Sequence, residues 1–216
     1  MESCIFVFNI ENARALNEEF CLRRFPERYK RAGRYRLEAD RLRSIAAGYL
    51  LSEALGVEEY ELAADEGGKP RAPGRAEFSL SHSGSYAVLA ASEAAIGVDI
   101  EQIAPSPPDV GSAVFTAEEA AWVEERPERR FWALWTLKEA ASKAVGKGLG
   151  INFRSFGVLP LLNGESIVLE GTRLYGKVWL TEKYALSAVS ARRSSYVFKR
   201  CVPFDETMQN ITPSEL

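Results

Sequence analysis

The sequence predicts an α+β protein made of two similar halves, on three observations. First, a short internal echo runs in order through the chain. Ser52-Glu53-Ala54-Leu55-Gly56 returns as Ser142-Lys143-Ala144-Val145-Gly146, and Tyr86-Ala87-Val88-Leu89-Ala90-Ala91-Ser92 returns as Tyr184-Ala185-Leu186-Ser187-Ala188-Val189-Ser190. Second, apolar residues recur at helical spacing in the alanine-rich stretches and alternate in the others, so each copy reads as a helix followed by a β-strand. Third, Ala104-Pro105-Ser106-Pro107-Pro108-Asp109 lies between the copies, and its prolines disfavour regular structure. The expected organisation is an N-terminal half at 1–103, a linker at 104–113, a C-terminal half at 114–204 and a polar tail at 205–216, which is expected to be loose. Short matches among common residues also arise by chance, so the echo does not settle the repeat alone.

Taken in order, the pattern predicts a strand near 4–9, then a helix rich in Leu, Ala and Ile from Ala39 to Leu55. Strands follow near 77–81, 86–91 and 96–101. Thr116-Ala117-Glu118-Glu119 has capping-box spacing before an apolar run and marks a helix start. A helix at 129–146 and strands near 166–170, 174–181 and 184–190 complete the reading.

A chain of 216 residues can bury one large core or two smaller ones. Its net charge of -3 argues against general nucleic-acid binding. Its apolar runs fall short of the ~20 residues a membrane span needs. Met1-Glu2-Ser3-Cys4 shows no basic region leading into a long apolar stretch, so no signal peptide is expected. Three cysteines, an odd number, fit a reducing cytoplasm. Asn210-Ile211-Thr212 matches a glycosylation sequon, which reads as accidental without secretion. A soluble cytoplasmic protein, with no nucleic-acid or membrane partner, is expected.

Two segments carry the chemistry. In Ile96-Gly97-Val98-Asp99-Ile100-Glu101 a strand would bury the three aliphatic residues on one face and present Asp99 and Glu101 on the other. In Trp135-Thr136-Leu137-Lys138-Glu139-Ala140-Ala141-Ser142-Lys143 a helix would set Glu139 and Lys143 one turn apart on one side. Three oxygen ligands with room for water suit Mg2+, which commonly completes its octahedron with substrate phosphates; Mn2+ fits the same donors. One histidine and the scattered Cys4, Cys21 and Cys201 make zinc a poorer fit. The residues therefore suggest a magnesium-dependent phosphoryl-transfer site. They also fit a solvated strand face and an ordinary surface ion pair.

An anion-binding side accompanies them. Between Arg23 and Arg43 there are nine basic residues against three acids, a positive patch in a net acidic chain. Arginine forks hold phosphate in two-pronged geometry, so the patch suits a polyanionic ligand or an acidic partner; a solvated helix face is the plainer alternative. Gly68-Lys69-Pro70 and Ser79-Leu80-Ser81-His82-Ser83-Gly84 add a lysine, small hydroxyls and the sole histidine at a strand end, a setting suited to donating hydrogen bonds to phosphate.

With these residues in place the chain resembles the 4'-phosphopantetheinyl transferases of the surfactin-synthetase-activating type. The likeness runs in order through Gly68-Lys69-Pro70, Phe78-Ser79-Leu80-Ser81-His82-Ser83, Ile96 to Glu101, Trp135 to Ala140 with Lys143, and Gly146-Lys147-Gly148-Leu149. The basic segment from Arg28 to Arg43 extends it. The resemblance implies an intrachain pseudo-dimer with coenzyme A in the cleft between its halves. It implies transfer of the phosphopantetheine arm of coenzyme A to a serine of an apo acyl or peptidyl carrier protein, releasing adenosine 3',5'-bisphosphate. Asp99, Glu101 and Glu139 would match the magnesium ligands and Lys143 the pyrophosphate contact. Lys69, Pro70, Ser81 and His82 would match the coenzyme A site, with Arg28, Arg31 and Arg43 near the 3'-phosphate. Arg28 and Arg31 stand where family members often carry lysine.

The expected catalytic residues are Glu139 as general base, with Lys143 and His82 supplying positive or donor groups. The carrier is expected to dock on the exposed segment near Phe115 and Trp122, helped by arginines. A monomer is expected, since a fused chain has less need of a partner. Two competing classes are a non-catalytic coenzyme A binding module that recognises a partner, and a Mg2+-dependent pyrophosphohydrolase.

Overall fold

The computed structural model describes residues 2–64, 68–203 and 209–215. The elements run β1 (Glu2–Asn9), α1 (Glu18–Arg24), α2 (Pro26–Ala32), α3 (Glu38–Leu55), β2 (Ala63–Ala64), β3 (Pro70–Arg71), β4 (Glu77–Ser83), β5 (Tyr86–Ser92) and β6 (Ile96–Gln102). Then come α4 (Gly111–Val114), α5 (Ala117–Glu124), α6 (Pro127–Ala144), α7 (Leu159–Leu162), β7 (Ser166–Leu169), β8 (Thr172–Leu180), β9 (Tyr184–Ser190), β10 (Ser195–Arg200) and β11 (Gln209–Ile211). This is a mixed α+β fold, with one sheet ordered β11-β10-β1-β5-β4 and a second ordered β6-β9-β8-β7.

Each sheet grows from a β-α-β-β unit: β1, α3, β4 and β5 in the first, β6, α6, β8 and β9 in the second. Equivalent strands occupy equivalent places, with β1 antiparallel to β5 and β6 antiparallel to β9. The echoed segments are the C-terminal ends of α3 and α6 and the strands β5 and β9. The second unit begins with β6, before the expected boundary at 103, because β6 pairs along its whole length with β9, from Ile96↔Ser190 to Gln102↔Tyr184. In return β10 leaves its own unit and lies parallel to β1, from Glu2↔Ser195 to Val7↔Arg200. Alternation along a strand fixes which faces are buried but not which strand sits alongside, so the exchange was invisible to the pattern.

Period-two alternation divides each central strand between two cores. Phe6 and Phe8 of β1 and Ala87 and Leu89 of β5 pack against Ala46 and Leu50 of α3. Ile5, Val7, Val88 and Ala90 point the other way, onto Ile96, Val98, Ile100, Leu186 and Ala188 of the second sheet. Ala185 and Val189 of β9 in turn meet Leu134, Leu137 and Ala141 of α6. The layers are thus helix, sheet, sheet, helix. Each buried Leu, Ile or Phe side chain contributes ~1.5–3 kcal/mol relative to exposure.

Several expectations need correcting. Phe115, expected on an exposed docking segment, is buried and packs edge-on to Phe131 with ring centroids 5.4 Å apart. Trp122 is half-buried beneath the Arg130 guanidinium, 4.4 Å away. Of the tail expected to be loose, Gln209–Ile211 forms a strand antiparallel to β10, and 205–208 and Leu216 lie outside the described residues. The capping box forms: the Glu119 amide donates to Thr116 Oγ1 at 3.2 Å, and Glu119 Oε2 accepts from the Thr116 amide at 2.9 Å.

Among the described residues no helix is long and apolar enough to cross a membrane. Cys4, Cys21 and Cys201 are thiols rather than disulfides.

Candidate active site

The site lies where α6 crosses β6 and where the facing edges of the two sheets meet. Gly97 makes the crossing close: a Cβ added there would sit 1.9 Å from the Ala140 carbonyl oxygen and 2.6 Å from the Ala144 amide nitrogen. With only hydrogen at that position the helix lies directly on the strand. Glu139 and Lys143, flanking the contact on α6, are thereby brought over Asp99.

Asp99 is 3 % exposed. Its Oδ1 accepts from the Lys143 ammonium at 2.6 Å and from the Ser81 hydroxyl at 2.8 Å. Its Oδ2 is buried with no hydrogen-bond donor. Glu101, two residues on, accepts at Oε2 from the Ser83 hydroxyl at 2.7 Å. Burial, then the charge of Asp99, pushes Glu101 above the usual carboxylate range. The same two causes push Glu139 up to about 7, against the opposing pull of Lys143. Three crowded carboxylates thus face one ammonium.

This donor set fits a hard divalent cation. A buried carboxylate oxygen without a donor costs ~1–3 kcal/mol or more, and oxygen-rich, water-accessible clusters of this kind suit Mg2+. Among the described residues no three His, Cys, Asp or Glu side chains form a ready-made cage. In this arrangement the lysine ammonium meets Asp99.

A cleft of about 380 Å³ opens here, lined by Arg28, Ala47, Pro70, Leu80, Ser81, His82, Asp99, Glu101, Glu139 and Lys143. Its rim is cationic. Burial, together with the nearby charge of Arg31, holds Arg28 below the usual guanidinium range. His82 lies below the usual imidazole range through desolvation first, with Arg43, Lys143 and Arg28 adding like-charge repulsion. An anion in the cleft would relieve the repulsion at both groups.

Three nominated residues stand elsewhere. Lys69 donates to the Ile96 carbonyl at 2.9 Å and lines an adjoining cavity of about 230 Å³ with Pro70, Ser79 and Lys143. Arg43 is held at the β4–β5 turn, its Nε and Nη2 donating to the Gly84 carbonyl at 3.2 and 3.1 Å and its Nη1 to Asp40 at 2.8 Å. Arg31 is exposed and lines neither cavity. Conversely, Ser83 bonds directly to Glu101 and had been given no role of its own. Its signal was the alternation of serine at 79, 81 and 83, which puts three hydroxyls on one side of a strand.

Lys138, next to Glu139, has a different task. Its ammonium is fully buried, 2.8 Å from Glu119 Oε2, and donates to the carbonyls of Phe153 and Phe156. Glu119 Oε1 accepts from the Val158 amide at 2.7 Å. The pair ties α5, α6 and the 153–158 segment together behind the cleft.

The fold and cleft define a class: two α+β units in one chain, with an acid-lined, cation-rimmed cleft at their junction. A model of the 4'-phosphopantetheinyl transferase superfamily matches residues 95–196, from just before β6 into β10. The 4'-phosphopantetheinyl transferase psf-1 of Bacillus pumilus is 34% identical over 160 residues, covering 68% of each chain. The 4'-phosphopantetheinyl transferase Sfp of Bacillus subtilis strain 168 is 29% identical over 155 residues, 66% of this chain and 69% of that one. AcpT of Salmonella typhi is 41% identical over 111 residues, 47% of this chain and 57% of that one. The chain belongs to the 4'-phosphopantetheinyl transferase family, in its surfactin-synthetase-activating type, and is an enzyme that transfers phosphopantetheine to a carrier protein.

Proposed function

We propose that the cleft is the catalytic centre, with coenzyme A as donor and the serine of an apo acyl or peptidyl carrier protein as acceptor. The supporting observation is convergence: Arg28 of α2, Pro70 of β3, Ser81 and His82 of β4, Asp99 and Glu101 of β6 and Glu139 and Lys143 of α6 line one cleft. Asp99, Glu101 and Glu139 would hold Mg2+, or Mn2+, once their side chains converge. When bound, the ion would supply charge neutralisation for the departing 5'-phosphate of adenosine 3',5'-bisphosphate.

The remaining chemistry belongs to the chain. Lys143 offers its ammonium, and Ser81 and His82 their hydrogen bonds, to the diphosphate of coenzyme A. Arg28 lies on the same wall and, with Arg31 and Arg43, supplies the positive field for the 3'-phosphate, while Lys69 serves as a further coenzyme A contact. Glu139 is the general base. It takes the proton from the carrier serine as the serine oxygen bonds to the β-phosphorus. The bond from that phosphorus to the bridging oxygen breaks, and adenosine 3',5'-bisphosphate leaves. In the metal-free cleft, burial and then the charge of Asp99 lift Glu139 to about 7. The three cysteine thiols fit a reducing cytoplasm, and the two fused units let a monomer complete the cleft.

Mass measurement of an apo carrier protein after incubation with the enzyme, coenzyme A and Mg2+ tests the reading. The carrier gains one phosphopantetheine. With Glu139→Gln the rate falls by ~10²–10⁴-fold while coenzyme A binding stays within about threefold. Transfer by that variant within about threefold of the parent removes Glu139 as the base.

A further inference from the structure

β4 is the outer strand of the first sheet and β6 the outer strand of the second, and the two edges face each other. An edge strand leaves every second amide without a ladder partner. Here serine side chains supply the acceptors. Ser79 Oγ accepts from the Val98 amide at 3.1 Å, Ser81 Oγ from Ile100 at 3.3 Å and Ser83 Oγ from Gln102 at 3.0 Å. A hydroxyl that has accepted still has one proton to give. Ser81 gives it to Asp99 and Ser83 to Glu101, at 2.8 and 2.7 Å. Across from Ser79 stands Gly97, which has no side chain to receive one.

We propose that Ser83 is a positioning residue: by clamping Glu101 across the junction between the units, it sets the affinity of the site for its divalent cation. This rests on the reading of Glu101 as a metal ligand. The two bonds of Ser83 differ in what can replace them. The Gln102 bond lies in the open, so water substitutes for the serine as acceptor there. The bond to Glu101 is directional and, beside the hydrogen bond that the Trp135 side chain gives the same carboxylate, fixes its rotation. Groups that orient a metal's ligands typically govern affinity by ~10–100-fold. Ser79 provides an internal control, since it makes the same edge bond with no carboxylate opposite.

The test is Mn2+ binding, followed by electron paramagnetic resonance with saturating coenzyme A and no carrier, so that nothing turns over. Ser83→Ala raises the Mn2+ Kd by about tenfold or more. Ser83→Thr, which keeps the hydroxyl, and Ser79→Ala both stay within about threefold of the parent, even where Ser79→Ala lowers the melting temperature. If Ser83→Ala melts below the assay temperature, Ser83→Cys replaces it with the same expected loss, because a thiol is only a weak donor. Parental Mn2+ affinity in Ser83→Ala overturns the inference, as does equal weakening by Ser79→Ala, which would reveal general loosening of the edges. Failure of the parent itself to bind Mn2+ overturns the metal reading, and this inference falls with it.

Discussion

Lys143 reaches past its helix neighbour Glu139 and places its ammonium 2.6 Å from Oδ1 of Asp99. It therefore neutralises in advance the carboxylate that a metal would engage. A cation arriving at Asp99 competes with the ammonium, and a diphosphate arriving beside it draws the ammonium away. On the proposed reading, metal and coenzyme A binding would thus be coupled through one side chain.

Lys143→Met separates the two effects. Loss of a charge-assisted contact of ~1.5–3 kcal/mol weakens coenzyme A binding by ~10–100-fold. Mn2+ binding in the absence of coenzyme A, measured by titration, becomes no weaker, because a competitor for Asp99 has gone. Weaker metal binding in the variant contradicts the competition.

Glu139 makes the metal-free protein pH-sensitive. Its carboxyl is raised to about 7 in the folded chain, against an ordinary value near 4.5. A raised acid favours the protonated native form. Its contribution to stability is complete below the ordinary value and lost as pH rises through about 7. In EDTA, the melting temperature of Glu139→Gln therefore gains on that of the parent between pH 5 and pH 8. A difference that stays flat across this range argues against an ionised, buried Glu139.

Gly97→Ala tests the helix-on-strand contact. The added methyl would overlap the Ala140 carbonyl, 1.9 Å away, so α6 must lift. Overpacking of this kind costs ~1–3 kcal/mol. Displacing Glu139 and Lys143 by an ångström costs about 10²-fold in transfer. Melting curves and the carrier-mass assay report the two losses separately, and near-parental transfer would mean the close approach is not needed.

Lys138→Met leaves Glu119 buried without its cation, a loss of ~3–5 kcal/mol readable as a lower urea midpoint. Adding Glu119→Leu recovers only part of it. Glu119 also accepts from the Val158 and Thr116 amides, which the leucine leaves unsatisfied. Full recovery would show that the ion pair alone matters.

Much of this was legible in the sequence because it is local. Alternation in Ile96 to Glu101 gave the buried and polar faces of β6, and Thr116 to Glu119 announced α5. The acids, Lys143, His82 and Ser81 could be nominated because their residue types suit a cation and a phosphate. What pattern could not supply was partnership across the chain. Lys143 looked like the partner of Glu139 at helical spacing, yet bonds to Asp99, 44 positions away. Phe115 looked like an exposed docking residue, since apolar character does not distinguish a binding patch from a core. β10 went unread because its apolar run, Tyr196 to Phe198, is only three residues long before Lys199 and Arg200, and its ladder partner lies at the opposite end of the sequence. The serines of β4 were visible as residue types, but their role exists only once a second sheet edge stands opposite.

The parallel pairing of β10 with β1 sets an order of assembly. Residues 2–7 form one side of a ladder whose other side is 195–200. During synthesis the first unit can seat β1 on β5 well before β10 leaves the ribosome. Throughout that interval the outer edge of β1, rich in Ile, Phe and Val, presents unpaired amides and carbonyls to any neighbouring chain. The closing strand is therefore also a shield for that edge.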